Sequence, residues 1–152
     1  MRISCTAVLC VVSAASLLTA GGCSGTQSPK LSVAGASIKE RTDTAAVIDF
    51  IVEAENPNAQ ALPLQDVTYT VSRGGKQVFS GTRSAEAVIR RYGSQQFVLP
   101  ASFLAPAGEE VAGEYEISGT LMYLAPGALS ETLFDQALVK PDVSFAGKAT
   151  AK

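Results

Sequence analysis

The chain has 152 residues, 12 basic and 14 acidic side chains, a formal net charge of −2, three cysteines, and neither histidine nor tryptophan. Without histidine, Ser–His–Asp and Cys–His catalysis are excluded and a tetrahedral zinc site nearly so, because the commonest general base and metal ligand is missing. No basic stripe interleaved with aromatic residues occurs, which argues against nucleic acid as a partner.

The chain opens with one positive charge, Arg2, and then an apolar run from Ile3 to Leu18 whose only ionisable groups are the thiols of Cys5 and Cys10. Small residues, Ala20-Gly21-Gly22, lead directly to Cys23. This is the pattern of a secretory signal, and Leu17 to Cys23 resembles the lipobox of bacterial lipoproteins. The resemblance implies cleavage after Gly22, acylation of Cys23 and a mature chain that starts there. Ser24, in place of aspartate, implies the periplasmic side of the outer membrane over the inner membrane. The alternative is an uncleaved anchor or an ordinary cleaved signal. Ile3 to Ala20 is marginally long enough to span a bilayer, although Ser4, Thr6, Ser13, Ser16 and Thr19 dilute it. Each reading exports the rest of the chain.

Cys5 and Cys10 leave with the signal and Cys23 carries lipid, so the expected mature domain has no disulfide and relies on its core. Removing residues 1–22 leaves 152 − 22 = 130 residues, enough for one domain. Residues 23–30 read as lipidated cysteine and polar tether, 31–148 as the domain, and 149–152 as a frayed tail.

From Leu31 the hydrophobic period is two. Ser32 to Ile38 reads as a strand. Thr44 to Glu55 places Ala46, Ile48, Phe50, Val52 and Ala54 on one face, the pattern of a half-buried strand. Asn56-Pro57-Asn58 ends it with turn chemistry. Val67 to Val71 and Gln77 to Ser80 flank Gly74-Gly75, a hairpin signature, with Gly81 closing the second strand. Ala87 to Arg91 and Gln95 to Phe103 are further strands, and Pro100 marks the second as an edge or bulge. Glu114 to Leu124 alternates again, with Tyr115, Ile117, Leu121 and Tyr123 on one side. Ala128 to Val139 has helical spacing, with Leu129, Leu133, Phe134 and Ala137 forming a stripe that ends at Pro141. Asp142 to Lys148 returns to strand. About seven short strands and one short helix near the C-terminus make an all-β sandwich.

Several of these fragments resemble one family. They are Val52-Glu53-Ala54-Glu55-Asn56-Pro57-Asn58, Leu62-Pro63-Leu64, Val67 to Val71 ahead of Gly74, Phe79-Ser80-Gly81 and Val98-Leu99-Pro100. Together they are similar to the late embryogenesis abundant type 2 family, also called the water stress and hypersensitive response (WHy) domain, over about Ser32 to Ala146. The resemblance implies a seven-stranded fibronectin-like sandwich with a short helix, a role in tolerance of desiccation, and no catalytic residue to carry over. Asn56, Pro57 and Asn58 are its motif. Pro57 pre-sets φ and the Asn amides satisfy backbone groups, so a structural role outweighs a binding one.

The acidic pairs Glu109-Glu110 and Glu114-Glu116 read as solvated surface. Arg90-Arg91 before Tyr92 falls in an expected strand, where neighbours point to opposite faces, so no clustered anion site is expected. No enzyme activity, cofactor or metal is expected. Two functions fit: non-catalytic protection against desiccation at the cell envelope, with threonine- and serine-rich strand faces supplying hydrogen bonds, or an interaction module that binds envelope proteins through edge strands or the 56–64 loop. The membrane is reached through lipid on Cys23, and no oligomeric state follows from the sequence.

Overall fold

The computed structural model describes residues 26–138 and 140–152. The expected signal peptide, Cys23 and Val139 lie outside them, as does the side chain of Leu129. Alternation in the sequence becomes burial on β2 (Ala45–Glu55), where Ala46, Ile48, Phe50, Val52 and Ala54 are all at 1% exposure or less. Complete burial of a side chain such as Phe50 contributes roughly 1.5–3 kcal/mol. β2 is the middle strand of an antiparallel sheet with β1 (Lys30–Arg41) and β6 (Ser94–Leu104). The facing sheet runs β4 (Lys76–Ser84), β3 (Leu62–Arg73), β7 (Gly113–Tyr123), β8 (Asp142–Ala151), also antiparallel. The two-residue β5 (Val88–Ile89) pairs with the start of β3 and continues the β4 edge. The fold is therefore a sandwich of seven long strands with one short helix, α1 (Ala128–Asp135), as the sequence implies. Val67, Val71, Tyr115, Ile117 and Leu121 of the second sheet meet Ile48, Phe50, Val52 and Leu99 of the first to form the core.

Two local features explain how the sandwich closes. Gly74 (φ 56°) and Gly75 (φ 78°) join Arg73 to Lys76, the doubly left-handed turn that glycine adopts without strain. At the opposite margin β1 lies against β8. The Ile38 amide donates to the Lys152 carbonyl at 3.2 Å. Gly147 sits so close to Val33 that a Cβ there would come within 2.6 Å of Val33 Cγ2. The other margin leaves β4 and β6 as edges. Pro100 lies within β6, opposite Asp49, as expected of an edge strand.

Several boundaries differ from the sequence reading. β4 does not stop at Gly81; it runs to Ser84, and the Phe79 ring folds over the space that Gly81 leaves. Leu62-Pro63-Leu64 is the start of β3, paired through Pro63 with Val88. The strand expected over 87–91 shrinks to two residues, because Glu86 (φ 48°) and Tyr92 (φ 51°) are left-handed and break it on both sides. The helix ends at Asp135, well before Pro141. Ala137 takes φ 56°, its amide donates to the Phe134 carbonyl at 2.9 Å, and the Leu138 amide donates to the Leu133 carbonyl at 2.9 Å. That pair of bonds is a Schellman stop, with alanine where glycine is usual. Leu133 and Phe134 are half-buried and stand outside the main core. The C-terminus is not frayed. β8 reaches Ala151, which is fully buried opposite Gly113, with Ala149 opposite Tyr115.

Strand direction sorts the connections into two ends. The start of β1, the end of β2, the start of β3, residues 85–93 and residues 124–141 with α1 share one end, called here the leading end. The 42–44 turn, Gly74-Gly75, residues 105–112 and the C-terminus share the other.

Candidate functional site

The Asn56-Pro57-Asn58 motif forms the floor of the leading end. Asn56 is 2% exposed and is the one buried polar residue among the described residues. Its Nδ2 donates to three carbonyls: Gln60 at 2.7 Å, Arg90 at 3.2 Å and Ile89 at 3.3 Å. Its Oδ1 accepts from the Asn58 amide at 2.9 Å and from Asn58 Nδ2 at 2.8 Å. Both sides of the amide are thus engaged, the condition under which a buried polar group stabilises. The backbone adds two stitches between the same loops: Asn56 amide to Gly93 carbonyl at 2.9 Å, and Tyr92 amide to Asn58 carbonyl at 3.1 Å. Pro57 separates the two asparagines and is half-buried.

Asn58 faces the N-terminal segment. Its Nδ2 donates to the Gln27 carbonyl at 2.8 Å, and its Oδ1 accepts from the Gln27 amide at 2.8 Å. The side-chain amide therefore acts as a one-residue strand partner. At the next residue, Ser28 Oγ and Tyr123 Oη are 2.9 Å apart, and Pro29 is buried. The segment read as a free tether is docked from Gln27 onward. A surface hollow of ≈ 260 Å³ lies beside these contacts, lined by Thr26, Gln27, Pro57, Asn58, Gln60 and Tyr92 among others.

Arg90, Arg91 and Tyr92 border that end. The expected strand would set the two arginines on opposite faces. They lie instead at a turn closed by the Gly93 amide on the Arg90 carbonyl at 3.0 Å. Both arginines are exposed, and Tyr92 is 72% exposed. A bulky residue at φ 51° is unusual and costs of order 1–3 kcal/mol. The stitches to Asn56 and Asn58 hold it there.

The opposite end uses different chemistry. Tyr115 Oη donates to the Val111 carbonyl, four residues upstream, at 2.7 Å. A tyrosine near the start of a sandwich strand, bonded back into the preceding loop, is a tyrosine corner. Arg73 lies over the Tyr115 ring at 5.2 Å from its centroid and donates to the Glu110 carbonyl and, at 3.0 Å, to the Ala112 carbonyl. Arg41 donates to the Glu109 carbonyl. The Glu109-Glu110 segment is thus held by its backbone. Glu114 and Glu116 are exposed and share Lys148, at 3.0 and 2.9 Å. Those bonds push the Lys148 ammonium up to about 12.

Burial raises the phenol pKa of Tyr69 and Tyr115 above the ordinary 10.0; Arg83 opposes the shift at Tyr69, and Arg73 at Tyr115. Tyr69 Oη donates to the Pro100 carbonyl, so at that position the β6 edge has neither an amide donor nor a free carbonyl. Among the described residues no group of three or more His, Cys, Asp or Glu could hold a metal ion, and no helix is long and apolar enough to cross a membrane. The Gln27 docking, the tyrosine corner and the Arg73 clamp are not among the features expected from sequence. A tyrosine just after the Pro106 to Glu110 loop, at the head of an alternating strand, was the available sign of the corner.

Comparison with known proteins agrees with this geometry. A solved protein of Arabidopsis thaliana, AT1g01470, superposes with a TM-score of 0.59 at 11% identity, covering 89% of this chain and 88% of that one. A candidate late embryogenesis abundant (LEA) protein, At2g46140.1, gives 0.53 at 15% identity over 81% and 71%. The structural-genomics target SoR45 gives 0.55 at 10% identity over 83% and 88%. At these identities the likeness shows the fold. No curated protein matches the sequence. The late embryogenesis abundant protein family, LEA_2, matches residues 52–129, from the last third of β2 into α1. With that match over just more than half of its length, the chain belongs to the LEA_2 family.

Proposed function

We propose that this chain is a bacterial envelope lipoprotein whose LEA_2 sandwich protects neighbouring proteins and lipids as water is withdrawn. In this reading residues 1–22 are a signal peptide, Cys23 is acylated, and 31 to the C-terminus is the protective domain, on the periplasmic side of the outer membrane. The work is physical: no substrate is turned over and no cofactor is used.

The observation that carries the protective part is the outer face of the second sheet. Register places Thr82, Thr68, Thr120 and Ser144 in one row across four strands, and Ser80, Thr70 and Ser118 in the next. Thr68 and Thr82 hydroxyls are 2.9 Å apart. Each hydroxyl both donates and accepts, so the face offers hydrogen bonds of either sense to surfaces losing their water. The core behind it is already dry and gains nothing from further dehydration. Drying a labile enzyme with the acylated protein tests this. Retained activity above that given by an equal mass of an unrelated globular protein is the expected result, and equal retention refutes it.

A second reading, an interaction module, is favoured by the margin of the sandwich. Pro100 and the Tyr69 hydroxyl interrupt the β6 edge, whereas β4 pairs only with β3 and carries no proline. An extended partner segment would add there. Crosslinking from Gln77 or Thr82 in cells, with one envelope protein recovered, is its expected signature.

A further inference from the structure

We infer that the leading end of the sandwich lies flat on the phospholipid surface, with the Arg90-Arg91-Tyr92 turn among the headgroups, and that Asn58 is the positioning residue that holds it there. The inference rests on the lipoprotein reading above and adds an orientation and a contact surface to it.

Gln27 is fixed to Asn58 through both its amide and its carbonyl, and Ser28 and Pro29 are fixed behind it. Only four residue steps separate Gln27 from Cys23. A fully extended chain covers at most about 14 Å in that distance. An acyl-bearing Cys23 sits at the membrane surface, so whatever surrounds Gln27 cannot be far from it. A tether free as far as Lys30 would have let the domain swing; the docked one does not.

What surrounds Gln27 suits a headgroup layer. Tyr92 borders the same hollow as Thr26 and Gln27, and its ring is exposed. An aromatic ring with a polar tip is favoured where hydrocarbon meets water. Arg90 and Arg91, both exposed at the turn, supply planar donors that match phosphate oxygens. Glu55, Glu86 and Asp135 share this end, so it is not uniformly basic, and the short tether rather than net attraction selects the face. The opposite end, at the Gly74-Gly75 turn, stands off by the length of β3, about 35 Å at roughly 3.3 Å per residue.

The test uses the mature acylated protein in vesicles of phosphatidylethanolamine and phosphatidylglycerol that contain headgroup spin-labelled lipid. If Cys23 is blocked by lipid, a fluorophore can be placed on a single new thiol at Tyr92→Cys, Arg91→Cys or Lys76→Cys. The expected result is loss of most of the fluorescence at positions 92 and 91 and none at 76. Asn58→Ala, which frees Gln27 but leaves Ser28 and Pro29 held, should return a measurable part of the signal at 92 while circular dichroism is unchanged. Equal quenching at 92, 91 and 76, or none at any of them, on protein whose acylation is confirmed by mass spectrometry overturns the orientation and leaves the lipoprotein reading standing. Quenching at 92 that Asn58→Ala does not alter overturns the role of Asn58. An unmodified Cys23 in the native protein overturns both readings.

Discussion

The two ends of the sandwich solve the same problem with different chemistry. Each must hold long connections without disulfides. The leading end does so with neutral amides: Asn56 buried beneath the loops and Asn58 binding the incoming chain. The far end uses a phenol and guanidinium groups: Tyr115 on the Val111 carbonyl, with Arg73 and Arg41 on the carbonyls of residues 109–112. The amide network is buried at Asn56 and reaches the surface at Asn58, and it does not titrate. The far-end network is partly exposed and titrates in alkali. The difference shows where the fold is sensitive: to side-chain identity at one end, and to solvent conditions at the other.

Breaking the amide end should have the largest effect. Asn56→Asp places a carboxylate oxygen against the carbonyls of Gln60, Ile89 and Arg90, and leaves a buried charge without a counter-charge, at a cost of roughly 3–5 kcal/mol. Asn56→Ala removes the donors without adding charge and should cost about 1–3 kcal/mol. Urea unfolding distinguishes them, and acidification should restore part of the aspartate loss, because the protonated carboxyl regains one donor.

At the far end Tyr115→Phe keeps the ring and removes one buried hydrogen bond, for about 1–3 kcal/mol. Arg73→Ala should cost less, near 1 kcal/mol, since its carbonyl partners are exposed. Arg73→Lys should not restore it, because an ammonium lacks the fork that reaches two carbonyls.

Alkaline titration sharpens the contrast. Tyr115 has a raised folded pKa, so its contribution is complete below the ordinary phenol value of 10.0 and is lost as pH rises through the higher folded value. Tyr69 follows the same sign. Hydrogen exchange should therefore show residues 105–112 losing protection above pH 10, while the 56–60 loop, whose network does not ionise, holds longer. The smallest effect belongs to Lys148. Its contribution is complete below its ordinary 10.5 and fades as pH rises through about 12, yet it is fully exposed and screened. Lys148→Ala should leave the urea midpoint unchanged at physiological salt.

Features that the chain specifies locally were easier to read than contacts made across the fold, for a physical reason. Asn56-Pro57-Asn58 is a contiguous signal whose turn chemistry is local, and the buried face of β2 is strict alternation. Gly74-Gly75 likewise specifies its own turn. Arg73 and residues 110–112, by contrast, meet across the fold, and nothing near Arg73 announces its target. Gln27 is similar: a polar residue after Gly25 and Thr26 looks like tether until Asn58 is seen to receive it. The helix is shorter than its apolar spacing implies because its stop is set by the left-handed Ala137, a position where sequence gives no warning without glycine. Ala149 and Ala151 look like a frayed tail in sequence because small residues bury without a strong apolar signature.

Mass spectrometry of the native protein's N-terminus tests the central claim most directly, because both the envelope role and the orientation depend on it. The account predicts a chain that starts at Cys23 and carries acyl groups on it. A native protein that retains Met1, or that bears an unmodified Cys23, contradicts it.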